Sequence, residues 1–174
     1  MSFITKWLLG LLVYTLFLTS CAGTKSRPNY DPTSTKIESP TKSINKKALI
    51  IYAEKFIDVP YKYGGNNPKE GFDCSGYVKY VYKHFQINVP RITRDYESFG
   101  TRIKMTNAQI GDLILFSLYD DKKTIGHIGI ICSIEHGNIK FLHAASGAKS
   151  RRVIESELKG VHLSRMLFIT RVLP

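Results

Sequence analysis

Cysteine is scarce in this chain of 174 residues: Cys21, Cys74 and Cys132 are too few for the dense disulfide framework of a small stapled fold. Neither Cys nor His occurs in the short-range pairs that common zinc sites use, so no metal and no other cofactor is expected. No nucleic-acid-binding motif and no internal repeat is found, which leaves a nucleic-acid partner and a solenoid fold without support. The apolar stretch Trp7 to Leu18 falls short of the roughly 20 residues that a membrane-spanning helix needs. Acidic residues are also few, 14 against 25 basic ones, for a formal net charge of +11.

That apolar stretch follows Lys6 and runs into Leu18-Thr19-Ser20-Cys21. The order resembles a bacterial lipoprotein signal with its lipobox. The resemblance implies cleavage before Cys21, acylation of Cys21 and attachment to a membrane of the cell envelope. Each buried methylene contributes roughly 0.8 kcal/mol, so several acyl chains on one residue would anchor the protein durably. Ala22 rather than Asp follows the cysteine, which in a Gram-negative organism resembles sorting to the outer membrane, facing the periplasm. For a basic chain in that compartment the candidate surroundings are phosphate-bearing envelope polymers, carboxylate-rich wall peptides and membrane head groups. Plain solvation of the surface is the other reading of the charge.

Residues 21–45 carry Pro28, Pro32 and Pro40 among Ser, Thr and Lys with little that is apolar, which reads as a flexible linker. Such a coil has a root-mean-square reach of roughly 25 to 30 Å. The composition changes near Lys46, so the expected organisation is a signal segment 1–20, a linker 21–45 and one folded domain 46–174.

Within that domain a helix is expected through Ala48, Ile51, Tyr52 and Lys55, ending before Pro60. A second is expected from Cys74 to about Phe85, with Val78, Val81, Tyr82 and Phe85 on its apolar face and Asp73 as N-cap. Thr93 is placed to cap a short helix through Ser98. From Ile110 the apolar period changes to two, giving strands over 112–117, 127–134, 139–146 and 166–172, with a hairpin turn at Glu135-His136-Gly137-Asn138. Helices followed by an antiparallel sheet make an α+β arrangement.

Cys74 sits on the first turn of its helix, where free N–H groups and the macrodipole favour a thiolate. A cysteine nucleophile needs an imidazole to take its proton and return it to the leaving amine, and that imidazole needs an orienting partner. His127 opens one strand and His143 lies on the next, which fits base and orienting group respectively. Strand alternation places Cys132 with Ile128 and Ile130, opposite His127; if His127 faces Cys74, Cys132 points away and is an inert buried thiol. His84 is placed to meet the last carbonyls of its helix, His136 belongs to the turn, and His162 has no supporting context.

Tyr61-x-Tyr63-Gly64-Gly65, Phe72-Asp73-Cys74-Ser75-Gly76, Pro90-Arg91, Gly111-Asp112-Leu113, His127-Ile128-Gly129-Ile130 and Phe141-Leu142-His143-Ala144 together resemble the NlpC family of bacterial cell-wall cysteine peptidases. Ile92 departs slightly from the family's usual run after Pro-Arg. The resemblance implies a minimal papain-like fold with helices packed on an antiparallel sheet of about five strands. It makes Cys74 the nucleophile, His127 the base and acid, and His143 the orienting residue. Tyr61 would lie beside the tetrahedral intermediate, its hydroxyl joining the Cys74 N–H in an oxyanion hole. Asp73 and Ser75 would contact the stem peptide or serve chiefly as helix caps. The implied reaction is hydrolysis of an amide in peptidoglycan stem peptides, typically between γ-D-glutamyl and the diamino acid, by a monomer held to the membrane through Cys21. Two alternatives stay open: a related cysteine amidase or acyltransferase on another substrate, and a non-catalytic wall-binding lipoprotein.

Overall fold

Asn45 starts the first helix, its side-chain oxygen accepting the Ala48 N–H at 3.1 Å, and α1 (Lys46–Glu54) follows. The computed structural model describes residues 44–118 and 122–173. The signal segment, Cys21 and the linker through residue 43 lie outside the described residues. Helix α1 buries Leu49, Ile50 and Ala53, whereas Ile51 is 60% exposed. Residues 48–53 are apolar all round the helix, so periodicity alone could not choose the buried face.

After a short antiparallel hairpin, β1 (Asn66–Asn67) and β2 (Gly71–Phe72), comes α2 (Cys74–His84). Its cap is Asp73, which accepts the Gly76 N–H at 2.6 Å. The helix buries Tyr77, Val78, Val81 and Tyr82. A Cβ at Gly76 would lie 2.0 Å from the Gly65 carbonyl oxygen. The Gly64-Gly65 loop therefore crosses the first turn of α2 at a distance that only glycine permits.

The remaining strands are β3 (Thr101–Ile103), β4 (Leu113–Ser117), β5 (Ile125–Glu135), β6 (Asn138–Ala144), β7 (Val153–Glu157) and β8 (Met166–Arg171), with α3 (Val161–Arg165) just before β8. They form one six-stranded antiparallel sheet in the order β3-β8-β4-β5-β6-β7. The α+β architecture is the one expected. The sheet has six strands rather than about five, because the short edge strands β3 and β7 add to the four that alternation reveals. His136 and Gly137 both have positive φ, as a tight hairpin turn between β5 and β6 requires.

Both faces of the sheet are covered. Leu113, Leu115, Ile128, Ile130 and Leu142 pack against α1 and α2, while Ile114, Phe116, Ile131, Phe141 and Ile169 form a second cluster on the other face. His162 of α3 lies over Phe116 and Phe141 on that second face, with ring centroids 5.9 and 5.1 Å away. The β4 entrance is tied down by Asp112, whose carboxylate accepts both Nε and Nη2 of Arg171 at 2.8 Å and the Gln109 N–H at 2.8 Å.

Candidate active site

Because α2 packs on the sheet, its N-terminus lies over the start of β5. Cys74 is buried, and its sulfur is 3.7 Å from Thr93 Oγ1. The N–H groups of Ser75 and Ile128 also reach it. Ile128 immediately follows His127, and the β5–β6 pairing begins only at Ile130 with Leu142. The sulfur thus meets the sheet where β5 and β6 have not yet paired. Thr93 does not cap a helix: the 3₁₀ turn 93–97 has Ile92 at its N-cap and no side-chain cap bond, and the Thr93 hydroxyl is turned to the sulfur.

His127 Nε2 lies 2.7 Å from His143 Nδ1, and His143 Nε2 lies 2.9 Å from Ser156 Oγ. Both imidazoles sit on the Phe116 and Phe141 face. Among the described residues, no hydrogen bond joins the Cys74 sulfur to the His127 ring; the thiol is held by Thr93 and the ring by His143. The sulfur instead approaches the N–H of Ile128, the residue that follows His127 along β5.

Electrostatics at the site differ from the expectation of a favoured thiolate. Burial pushes the Cys74 thiol above its ordinary range and the Asp73 carboxylate adds to this, against the opposing pull of Thr93 and the Ser75 and Ile128 N–H groups. Burial also lowers His127 to about 4, helped by His162, and lowers His143 to about 2, helped by His127 and His162. Both directions favour a thiol and a neutral imidazole over a preformed thiolate–imidazolium pair. The expected consequence is that iodoacetamide labels Cys74 of the free protein progressively faster as pH climbs beyond the ordinary cysteine range. A rapid, pH-independent labelling plateau from about pH 5 to 7, measured by mass spectrometry, would show a preformed ion pair instead.

Asp73 and Ser75 have little polar capacity left over. Asp73 accepts Arg91 Nη1 at 3.0 Å and Nη2 at 2.8 Å, together with the N–H groups of Gly64 at 3.0 Å and Gly76 at 2.6 Å. Ser75 Oγ accepts a further bond from Arg91 Nη1 at 3.0 Å. This network binds the Gly64-Gly65 loop and Arg91 to the first turn of α2. Tyr61 is half-buried and lines the same groove as Cys74, a depression of about 610 Å³ that also includes Tyr63, Arg94 and Leu118. Burial, followed by Cys74 and Asp73, raises the Tyr61 hydroxyl above its usual range. A second cavity of about 490 Å³, lined by His127, His143, Ser156 and His162, shares Leu118 and Gly126 with the first.

Three expectations change. Cys132 does not point away from the side that Cys74 occupies: it shares the helix-side cluster with Cys74, Ile128 and Ile130. The two thiols are free, and burial with Glu155 pushes Cys132 up to about 12. His84 stacks on Tyr52, with centroids 3.8 Å apart and planes at 8°, rather than on the final carbonyls of α2. His162 does have context, since its ring centroid is 5.7 Å from that of His143. Ser156, Thr93 and Arg91 were not singled out as site residues. Of these only Arg91 had a signal, its place in the Pro90-Arg91 motif.

A helix-borne cysteine on an antiparallel sheet that carries paired histidines defines a papain-like α+β domain. Residues 58–172 match the NlpC/P60 family, and the chain belongs to that family. It is similar to the gamma-DL-glutamyl hydrolase of Bacillus subtilis (strain 168), 36% identical over 85 residues, which are 49% of this chain and 21% of that protein. It is also similar to the murein DD-endopeptidase MepS/murein LD-carboxypeptidase of Escherichia coli (strain K12), 26% identical over 149 residues, covering 76% of this chain and 75% of that one. A crystal structure of an NlpC/P60 family protein from Bacillus cereus ATCC 10987 superposes with a TM-score of 0.67 at 27% identity, covering 76% of this chain and 41% of that chain. This chain thus spans about a fifth of the length of the Bacillus subtilis hydrolase it matches.

Proposed function

We propose that this protein hydrolyses an amide bond in peptidoglycan stem peptides, between γ-D-glutamyl and the diamino acid, through a thioester on Cys74. The observation that carries the reading is the meeting of the Cys74 sulfur with the β5 backbone beside His127, whose ring is bonded in turn to His143. The thiol leaves Thr93 and gives its proton to His127 Nδ1, the ring nitrogen opposite the one held by His143. The sulfur attacks the carbonyl carbon, and the oxyanion draws on the Cys74 N–H and the Tyr61 hydroxyl. The imidazolium returns the proton to the departing amine. Water then attacks the thioester while His127 takes its proton, releasing the γ-carboxylate and regenerating the thiol. Asp73 and Ser75 hold Arg91 at the groove wall, so any grip they have on the stem peptide acts beside or through that guanidinium. With Arg91 paired to Asp73, Arg94 leaves this wall net positive, which suits a peptide rich in carboxylates.

The attachment through Cys21 completes the proposal: a lipid anchor and a flexible linker would keep the domain within reach of the wall from the outer membrane, if the organism is Gram-negative. Among the described residues no helix is long and apolar enough to cross a membrane.

A second reading, cleavage of the cross-link between two stem peptides, draws on the alignment with the Escherichia coli DD-endopeptidase, which covers most of that protein. Incubation of the full chain with purified peptidoglycan and defined muropeptides, followed by mass spectrometry, separates the two. The proposal expects a new amine on the diamino acid and a new γ-carboxylate on glutamate. Fragments cut only at the cross-link would replace it with the second reading, and no new amine at all would overturn both.

A further inference from the structure

His143 is buried, and both of its ring nitrogens are committed: Nδ1 to His127 Nε2 at 2.7 Å and Nε2 to Ser156 Oγ at 2.9 Å. A neutral imidazole carries one N–H donor and one bare acceptor nitrogen, so the protons along this chain must all run in one direction or all in the other. In one direction His127 donates from Nε2 to His143, and His143 donates from Nε2 to Ser156. Nδ1 of His127 is then bare and can take a proton from a thiol. In the opposite direction Ser156 donates to His143, and His143 donates from Nδ1 to His127. His127 then carries its proton on Nδ1 and cannot act as base toward Cys74.

We propose that Ser156 is a positioning residue that sets this direction: by accepting the Nε2–H of His143 it leaves Nδ1 of His127 free for the proton of Cys74. The inference rests on the reading of Cys74 and His127 as nucleophile and base. Ser156 suits the task because it lies on β7 diagonally across from His143, opposite Phe141, and borders the second cavity, where its own O–H can donate to water. His162 does not compete for His143 through its Nδ1, which lies 3.2 Å from the Glu157 carbonyl oxygen and is tied to it. Without a hydroxyl at 156, the Nε2–H of His143 would be a buried donor with no acceptor. Moving the proton to Nδ1 would strand a bare acceptor at Nε2 in place of an N–H, the less costly of the two, and would reverse the chain and disable the base.

Threonine and valine at position 156 have nearly the same shape, both suit a strand, and they differ in the hydroxyl alone. The test compares the full chain with its Ser156→Thr and Ser156→Val variants by nitrogen-15 NMR of the histidine rings and by kcat/KM on muropeptides. The proposal expects Nε2–H on both His127 and His143 in the parent and in Ser156→Thr. It expects a shift of His143 toward Nδ1–H in Ser156→Val, with kcat/KM down by about ten- to a hundredfold. A parent protein with Nδ1–H on His143 would overturn the proposal, whether or not Ser156→Val folds, and so would a Ser156→Val variant with parental tautomers and rate. If the parent tautomers are as stated but no muropeptide is cleaved, the reading of Cys74 and His127 as a catalytic pair fails while the role of Ser156 in setting the tautomer stands.

Discussion

Cys74→Ala is expected to stop release of new amino groups from peptidoglycan, a loss of roughly 10³- to 10⁶-fold, while leaving the fold intact. The size of the loss follows from the chemistry: without sulfur there is no thioester, and His127 has no nucleophile whose proton it can take. The variant should remain folded because the features that start α2 lie elsewhere. Asp73 still caps the helix through Gly76, and Arg91 still ties Asp73 to the Gly64-Gly65 loop. What alanine removes is one buried atom and its contact with Thr93, a change of about 1 kcal/mol. Thermal unfolding within a few degrees of the parent, together with no detectable cleavage by mass spectrometry, is the expected pair of results. Cleavage at anything near the parental rate would remove the thioester from the mechanism.

The parts of this site that were legible in the sequence are those encoded locally. Asp73 before an amphipathic run reveals both the start of α2 and the place of Cys74 on its first turn, because capping and helical period are short-range effects. Alternation likewise reveals β4, β5, β6 and β8, each with a nearly continuous apolar core face. The strand β7 was missed because Val-Ile-Glu-Ser-Glu buries only Val153, as befits a sheet edge, and with it went Ser156. The five-residue α3 is too short to show a period, so nothing marked His162 as a neighbour of His143. Thr93 looked like a helix cap because threonine suits that position, and only the packing of the 3₁₀ turn against β5 shows that its hydroxyl serves the sulfur. The thiol's surroundings are legible only in part: a helix N-terminus is visible in sequence, but the burial that opposes the thiolate depends on how α2 is laid on the sheet.

Removing the positive partner of Asp112 is expected to destabilise the domain more than removing Asp112 itself, although both changes break the same ion pair. The Asp112 side chain is 1% exposed and that of Arg171 is 21% exposed. In Asp112→Ala the guanidinium keeps its bond to the Asn107 carbonyl and can lean toward solvent. In Arg171→Leu a carboxylate stays buried at the start of β4 with the Gln109 N–H as its remaining donor. Breaking a buried pair this way costs about 3 to 5 kcal/mol, a large share of the roughly 5 to 15 kcal/mol that holds a domain together. Urea unfolding of the two single variants and of the doubly substituted protein would measure it, and a double variant more stable than Arg171→Leu alone is the expected sign of the stranded charge. Equal losses in the two single variants would mean that the carboxylate is better solvated than its burial implies. Activity should fall with stability in Arg171→Leu, because the pair anchors the ends of β4 and β8. The opposite end of β4 sets Phe116 against His127 in the sheet register, so a strand that slips at Asp112 also displaces the His127 imidazole.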